Sequence, residues 1–197
     1  MIIAVAGFKG GISKSTTAIH LAAFLSDHAP TALIDGDRNR SATGWSKRGT
    51  LPFTVVGERE IARAARGHEH LVIDTPARPS REDLEELAAG SDLVVLPTLP
   101  NMLDLDALMA IVETLGSIGA DKFRVLLTIV PPKPARDGDE ARSALIGAGL
   151  PVFAGSIRRA TAFAKAAVAG CVVRDVKDPR AAEAWSDYVT VGREILQ

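Results

Sequence analysis

At 197 residues the chain is long enough for one domain with a substantial core and short for two. Charged residues make up 24% and hydrophobic residues 47%, an ordinary globular balance, and a net charge of −1 excludes any global pull toward nucleic acid or membrane. The single cysteine, Cys171, excludes an internal disulfide, and no apolar run approaches the ~20 residues of a membrane span. A reducing, cytoplasmic setting and a buried, inert thiol are therefore expected.

In chain order, "MIIAVAG" (1–7) predicts a buried strand; it is too short for a signal-peptide core and no basic region precedes it. A glycine turn follows, then a helical pattern over Thr16–Asp27. Strand, glycine turn and helix together form the layout of a phosphate-binding loop, because glycines let backbone N–H groups converge on an anion at the helix N-terminus. Lys14 is then placed to reach the β- and γ-phosphates and the Ser15 hydroxyl to ligate magnesium. The strict pattern G-x-x-x-x-G-K-[ST] nevertheless fails, since Phe8 and Ser13 stand in its glycine positions.

Further apolar runs at 31–35, 53–56, 70–74, 92–98, 123–130 and 151–155 predict strands, several apolar on both faces. Between them Glu58–Arg66, Arg81–Ala89, Leu105–Leu115 and Asp139–Ala148 read as helices. This alternation predicts one α/β domain over 1–197, with a doubly wound, mostly parallel sheet and helices on both faces. The Pro-rich, charged stretch 131–142 fits a loop better than an interdomain linker.

The segment Lys9-Gly10-Gly11-Ile12-Ser13-Lys14-Ser15-Thr16 resembles K-G-G-x-x-K-[ST], the deviant Walker A loop of the ParA/MinD family of P-loop ATPases. Ser13 stands where glycine is commoner, and its side chain is a candidate N-cap for the helix. The resemblance implies that residues 9–16 bind ATP. Lys14 would serve the nucleotide of its own subunit, and Lys9 would reach across a nucleotide-sandwich dimer, much as an arginine finger does. Without the resemblance, the stretch reads as a glycine turn with two solvated lysines.

"ALIDGDRNRSATGW" (32–45) is similar to the family's D-x-D-P-Q-x-S segment, with Arg38 and Asn39 replacing Pro-Gln. By resemblance, Asp37 orients or deprotonates the attacking water and Asp35 belongs to the magnesium shell. The alternative is a pair of turn-forming aspartates with Arg38 as salt partner. "HLVIDTPARPS" (70–80) looks like a Walker B strand followed by the family's D-T-P switch, so Asp74 would hold magnesium through water, facing Ser15. "DLVVLPTLPNMLDLDAL" (92–108) resembles the next family segment, and "VFAGSIRRATAFAKAAVAG" (152–170) its late strand, I-R pair and helix. Pro131 and Pro132 stand in the loop that usually contacts adenine.

In 157–180, Arg158, Arg159, Lys165, Arg174, Lys177 and Arg180 face only Asp175 and Asp178, a local balance of +4. ParA-like relatives bind DNA without sequence preference through such residues, and the first five named are the DNA-contact candidates here. A solvated helix face is the alternative. The tail puts Ala184, Tyr188, Val191 and Ile195 on one stripe, beside Trp185. It lacks the basic polar face of a MinD-type membrane helix, so packing on the sheet is expected and membrane binding is not. One cysteine also leaves the iron–sulfur branch of the family without its cluster.

The resemblance thus implies a small ParA-type ATPase requiring ATP and Mg²⁺. It would form a homodimer with ATP, bind nonspecific DNA on the nucleoid and answer to a small stimulating partner protein. Its cargo would be a plasmid, a chromosome locus or a protein assembly such as carboxysomes. A first strand beginning at Met1 suggests the short subtype without a DNA-reading extension. A MinD-like membrane ATPase and a metabolic ligase of the dethiobiotin synthetase type remain the rival readings.

Overall fold

The computed structural model describes residues 1–197. Six strands, β1 (Ile2–Gly7), β2 (Thr31–Asp35), β3 (Thr54–Gly57), β4 (His70–Ala77), β5 (Leu93–Thr98) and β6 (Phe123–Leu127), form one sheet. Their order is β3-β2-β4-β1-β5-β6 and every pairing is parallel. The helices are α1 (Lys14–Ser26), α2 (Ser41–Ser46), α3 (Ile61–Gly67), α4 (Arg81–Gly90), α5 (Met102–Ser117), α6 (Asp137–Gly147), α7 (Thr161–Ala169) and α8 (Ala181–Ile195). The doubly wound expectation holds.

Alternation along the strands builds two large cores and a small third one, in which Ala32, Ile34 and Leu71 meet Ala64 of α3. Ile3, Val5, Leu33 and Val72 point to one face, where α1, α2, α7 and α8 close a cluster of 22 buried residues. Ala4, Ala6, Val94 and Leu96 point to the other, under α4, α5 and α6. Helix α1 is buried continuously from Thr17 to Leu25, because the sheet lies on one side and α8 on the other, so it carries no polar face. Helix α8 docks the stripe expected of it: Ala184, Tyr188 and Val191 are fully buried. Its Gly192 lies against Phe24 of α1, where a Cβ would sit 2.2 Å from the ring, so only glycine permits this helix spacing.

Two expected strands differ. β6 ends at Leu127 instead of Val130, because Ile129 turns left-handed at φ 52°. Residues 151–155 form no ladder, only an isolated bridge between Val152 and Val125. Side chains occupy the backbone there: Glu194 accepts from the N–H groups of Ala154 and Gly155, at 2.9 and 2.7 Å, and Arg142 donates to the carbonyls of Phe153 and Gly155. Cys171 is half-buried rather than buried; burial pushes its thiol pKa up, and its carbonyl accepts from the Trp45 indole N–H.

Candidate nucleotide site

The chain grows from β1 toward β2 and β3, returns through β4 and then crosses β1 to β5. The crevice at the carboxyl ends of β1 and β4 is therefore the topological switch point, where ligands of open α/β sheets bind. Three strand ends meet there: Asp74 pairs in register with Val5 on one side and with Asp35 on the other. Thr75 Oγ1 donates to the Val5 carbonyl at 2.9 Å and ties the segment after Asp74 to β1.

Residues 8–13 loop over this crevice from β1 into α1. None of the N–H groups from Gly10 to Ser13 donates a hydrogen bond within the chain, which leaves a row of donors at the positive end of a helix. Gly11 takes φ 82°, and Ser13 takes φ 69° and ψ 25°. The Ser13 side chain makes no capping bond, which corrects the expected N-cap; the Ser13 carbonyl accepts from Thr17 N–H at 2.8 Å instead. A left-handed residue directs its side chain away from the helix N–H groups. Glycine would hold this position without the ~1 kcal/mol a Cβ costs.

Lys14 is buried, and its Nζ donates to the Lys9 carbonyl at 3.0 Å. Burial lowers its pKa, while Asp74 and Asp37 counter by favouring the ammonium. Lys9 turns the other way: its Nζ donates to the Leu103 carbonyl at 2.7 Å and lies 3.1 Å from Asp104 Oδ1.

Asp74 is fully buried and neither carboxylate oxygen has a hydrogen-bond partner. Burial pushes its pKa up to about 7, and Asp35 and Asp37 push the same way; the nearby Ser15 hydroxyl and Lys14 oppose. Asp35 is equally buried, with one oxygen accepting from the N–H and hydroxyl of Thr43 on α2 and the other unpartnered. Asp37 accepts from Asn39 N–H at 3.0 Å in a tight turn, so it has the turn-forming role as well as proximity to Lys14 and Asp74. Arg38 pairs with neither aspartate; Arg40 donates to the Asp35 carbonyl instead.

Unpartnered buried carboxylate oxygens beside a serine hydroxyl suit a hard divalent cation. Magnesium takes one or two carboxylates and completes its shell with water and phosphate, so the absence of any cluster of three His, Cys, Asp or Glu side chains does not disqualify the site. Asp74, Ser15 and Asp35 are the residues that would hold it.

A cavity of about 290 Å³ opens beside the first turn of α1, between Ser13, Thr16, Ile129, Ile157, Ala160 and Phe163. This apolar slot next to the loop suits a planar base. Sequence reasoning missed it, because Ile129 reads as strand and Phe163 as helix core. Pro131 and Pro132 line the neighbouring groove, about 430 Å³, with Lys133, Arg158, Arg159 and Arg180. A third cavity, about 400 Å³ between Arg81, Ala88, Ile118 and Phe123, lies at the opposite end of the sheet, away from the loop and the aspartates.

The basic residues of 157–180 do not act as one free set. Arg158 is bound to Asp187 and Glu183, Lys165 to Asp178, and Arg174 to Asp27 while covering the Trp185 ring. Asp27, Glu183 and Asp187 lie outside the counted window, which is why the +4 overstates the field. Arg159, Lys177 and Arg180 make no ion pair.

Residues 3–173 match the model of the CobQ/CobB/MinD/ParA nucleotide-binding domain. The chain belongs to this family. Maintenance of carboxysome distribution protein A of Gloeobacter kilaueensis is 35% identical over 201 residues, covering 98% of this chain and 93% of that protein. Among solved structures, a plasmid partition protein of Borrelia burgdorferi B31 bound to AMPPNP aligns over 99% of this chain and 98% of its own, with a TM-score of 0.75 at 18% identity. The septum site-determining protein MinD of Pyrococcus horikoshii, complexed with Mg-ADP, aligns over 98% and 95% with a TM-score of 0.72 at 14% identity. The fold is that of the ParA/MinD P-loop ATPases.

Proposed function

We propose that this chain is an ATP-driven positioning switch. It binds Mg-ATP at the β1–β4 crevice, pairs with a second copy around the nucleotide, hydrolyses it slowly and holds nonspecific DNA in the ATP form. The observation that carries the reading is Asp74, fully buried with both oxygens unpartnered beneath a loop of free N–H groups. A fold keeps such a group where a cationic ligand completes it.

In this reading the N–H groups of residues 10–13 cradle phosphate oxygens, and Lys14 leaves the Lys9 carbonyl for the β- and γ-phosphates. Ser15, Asp35 and Asp74 would hold magnesium, which would supply positive charge to offset that of the phosphates. Asp37 orients the attacking water, and Lys9 is given to the partner subunit's nucleotide. The slot between Ile129, Ile157 and Phe163 takes the base.

The unpaired Arg159 and Arg180, with Lys133, line a single groove and support phosphate contacts indifferent to sequence. Arg159 borders both that groove and the base slot, so the two sites share a wall. Kinship with a carboxysome distribution protein supports a protein assembly as cargo, with a plasmid or chromosome locus as the alternative, and a small partner protein as stimulator. No helix is long and apolar enough to cross a membrane, and the apolar stripe of α8 packs inside the core.

The test is binding to a nonspecific duplex with ATP, with ADP and without nucleotide, at two salt concentrations, alongside mass by light scattering. Binding and dimer formation with ATP alone, both present at low salt and DNA binding weakened at high salt, are expected. A dimer without DNA binding would sink the DNA arm, and turnover requiring a small-molecule acceptor would favour a metabolic enzyme.

A further inference from the structure

We propose that Asp104 parks Lys9 inside its own subunit and that a second copy of the chain receives the lysine only when this grip is released. The inference rests on the role given to Lys9 above and adds a regulator to it.

The parking site is built. Lys9 Nζ sits 3.1 Å from Asp104 Oδ1 and 2.7 Å from the Leu103 carbonyl. The other Asp104 oxygen accepts from Asn101 Nδ2 at 2.6 Å, while Asn101 Oδ1 caps the Asp104 N–H at 3.1 Å. The start of α5 therefore fixes the carboxylate in place, 14% exposed, and aims it at the loop. A partly covered pair is screened less than an open one, so this acceptor offsets part of the hydration and rotamer freedom that the lysine gives up.

The two lysines are linked through one residue. Lys14 donates to the carbonyl of Lys9, the residue whose side chain Asp104 holds. When Lys14 turns to a phosphate it abandons that carbonyl, and the loop loses one of the contacts fixing residue 9. Beside the parked ammonium, Met102 and Leu103 are 72% and 73% exposed, two large apolar side chains standing in water at the mouth of the loop. A second copy covering this face would bury them and take Lys9 in one event. Parking thus lowers the fraction of subunits ready to pair, and bound nucleotide loosens the grip without abolishing it, since Asp104 and the Leu103 carbonyl still hold the ammonium.

The experiment uses the full chain with AMPPNP and follows the monomer–dimer equilibrium by light scattering. Asp104→Asn keeps the hydrogen bond to Asn101 and removes the charge that holds Lys9. Freeing the lysine is expected to favour pairing by about two- to fivefold per subunit, hence about four- to twenty-five-fold in the dimer dissociation constant. Thermal unfolding of the nucleotide-free variant should show no matching gain, which a general stabilisation would produce. Unchanged or weaker dimerisation of Asp104→Asn overturns the parking role; weaker pairing would mean that Asp104 serves the assembled dimer. Lys9→Ala separates the two ideas. If it dimerises and turns over like the unaltered chain, the role of Lys9 falls and the parking role with it; if it is impaired while Asp104→Asn pairs no more tightly, the parking role alone falls.

Discussion

Two regions of the molecule treat charge in opposite ways. At the carboxyl ends of β1, β2 and β4, buried carboxylate oxygens of Asp35 and Asp74 stand without partners. In the C-terminal segment, nearly every acid is matched: Arg158 with Asp187 and Glu183, Lys165 with Asp178, Arg174 with Asp27. Partnered charge holds elements together, whereas buried charge left open costs stability and is kept for something that arrives later. Counting charges along the chain cannot separate these uses; pairing in space does.

The sharpest break between the regions is a pair of acid-to-amide changes. Asp74→Asn removes a buried carboxylate whose burial Lys14 and Ser15 offset only in part, so the nucleotide-free chain should gain about 2 kcal/mol in denaturant unfolding. The same change should remove magnesium-dependent nucleotide binding, by about 100-fold or more in titration calorimetry. Asp187→Asn should do the reverse, losing about 1–2 kcal/mol because Arg158 keeps its charge in a half-buried place, with nucleotide affinity little changed. If both variants lose stability alike, the contrast drawn here is wrong.

His20 offers a control from the core. Its Nε2 accepts from Val173 N–H at 3.1 Å, its Nδ1 meets the Thr16 carbonyl and its ring stacks on Tyr188, so the neutral ring is built in. Burial lowers its pKa to about 4 from the ordinary 6.5. The unfolded chain therefore binds the proton first, and stability should fall by about 3 kcal/mol as pH drops from 6.5 to 4. His20→Phe should lose most of that slope, measured by thermal unfolding across this window.

Among the basic residues, Arg159→Ala and Arg180→Ala should each weaken DNA binding by the ATP form and reduce the salt slope by about 1, without loss of stability. Arg174→Ala should instead lose about 1 kcal/mol of stability through the Asp27 pair and the Trp185 face, and leave the salt slope alone. An effect of the same size and opposite sign is expected of Ser13→Gly, a gain of about 1 kcal/mol in unfolding from relief at φ 69°.

Much of this was legible in the residues. The β-branched runs predicted all six strands of the sheet, since each is apolar on both faces or ends in a glycine or an acid, and the loop motif predicted where the crevice opens. Helix α2 escaped because six residues, SATGWS, are too few to show a period, and the left-handed Ser13 escaped because nothing local announces a positive φ in a serine. The pairing of Arg174 with Asp27, 147 residues apart, is a property of the fold alone. So is the slot proposed for the base, whose walls come from α1, the turn after β6, the segment 157–160 and the start of α7.

The occupied backbone of residues 151–157 has a consequence for how copies of this chain meet. A sheet edge is an open template on which a neighbour's strand can add. Here β6 is bordered by a segment whose N–H groups at 154 and 155 are already taken by Glu194, and the opposite edge, β3, is only four residues long. Crowded copies thus have little to recruit by strand addition. In the proposed function, self-association would then fall to the face that carries the loop and Lys9, where it could be made to wait for nucleotide.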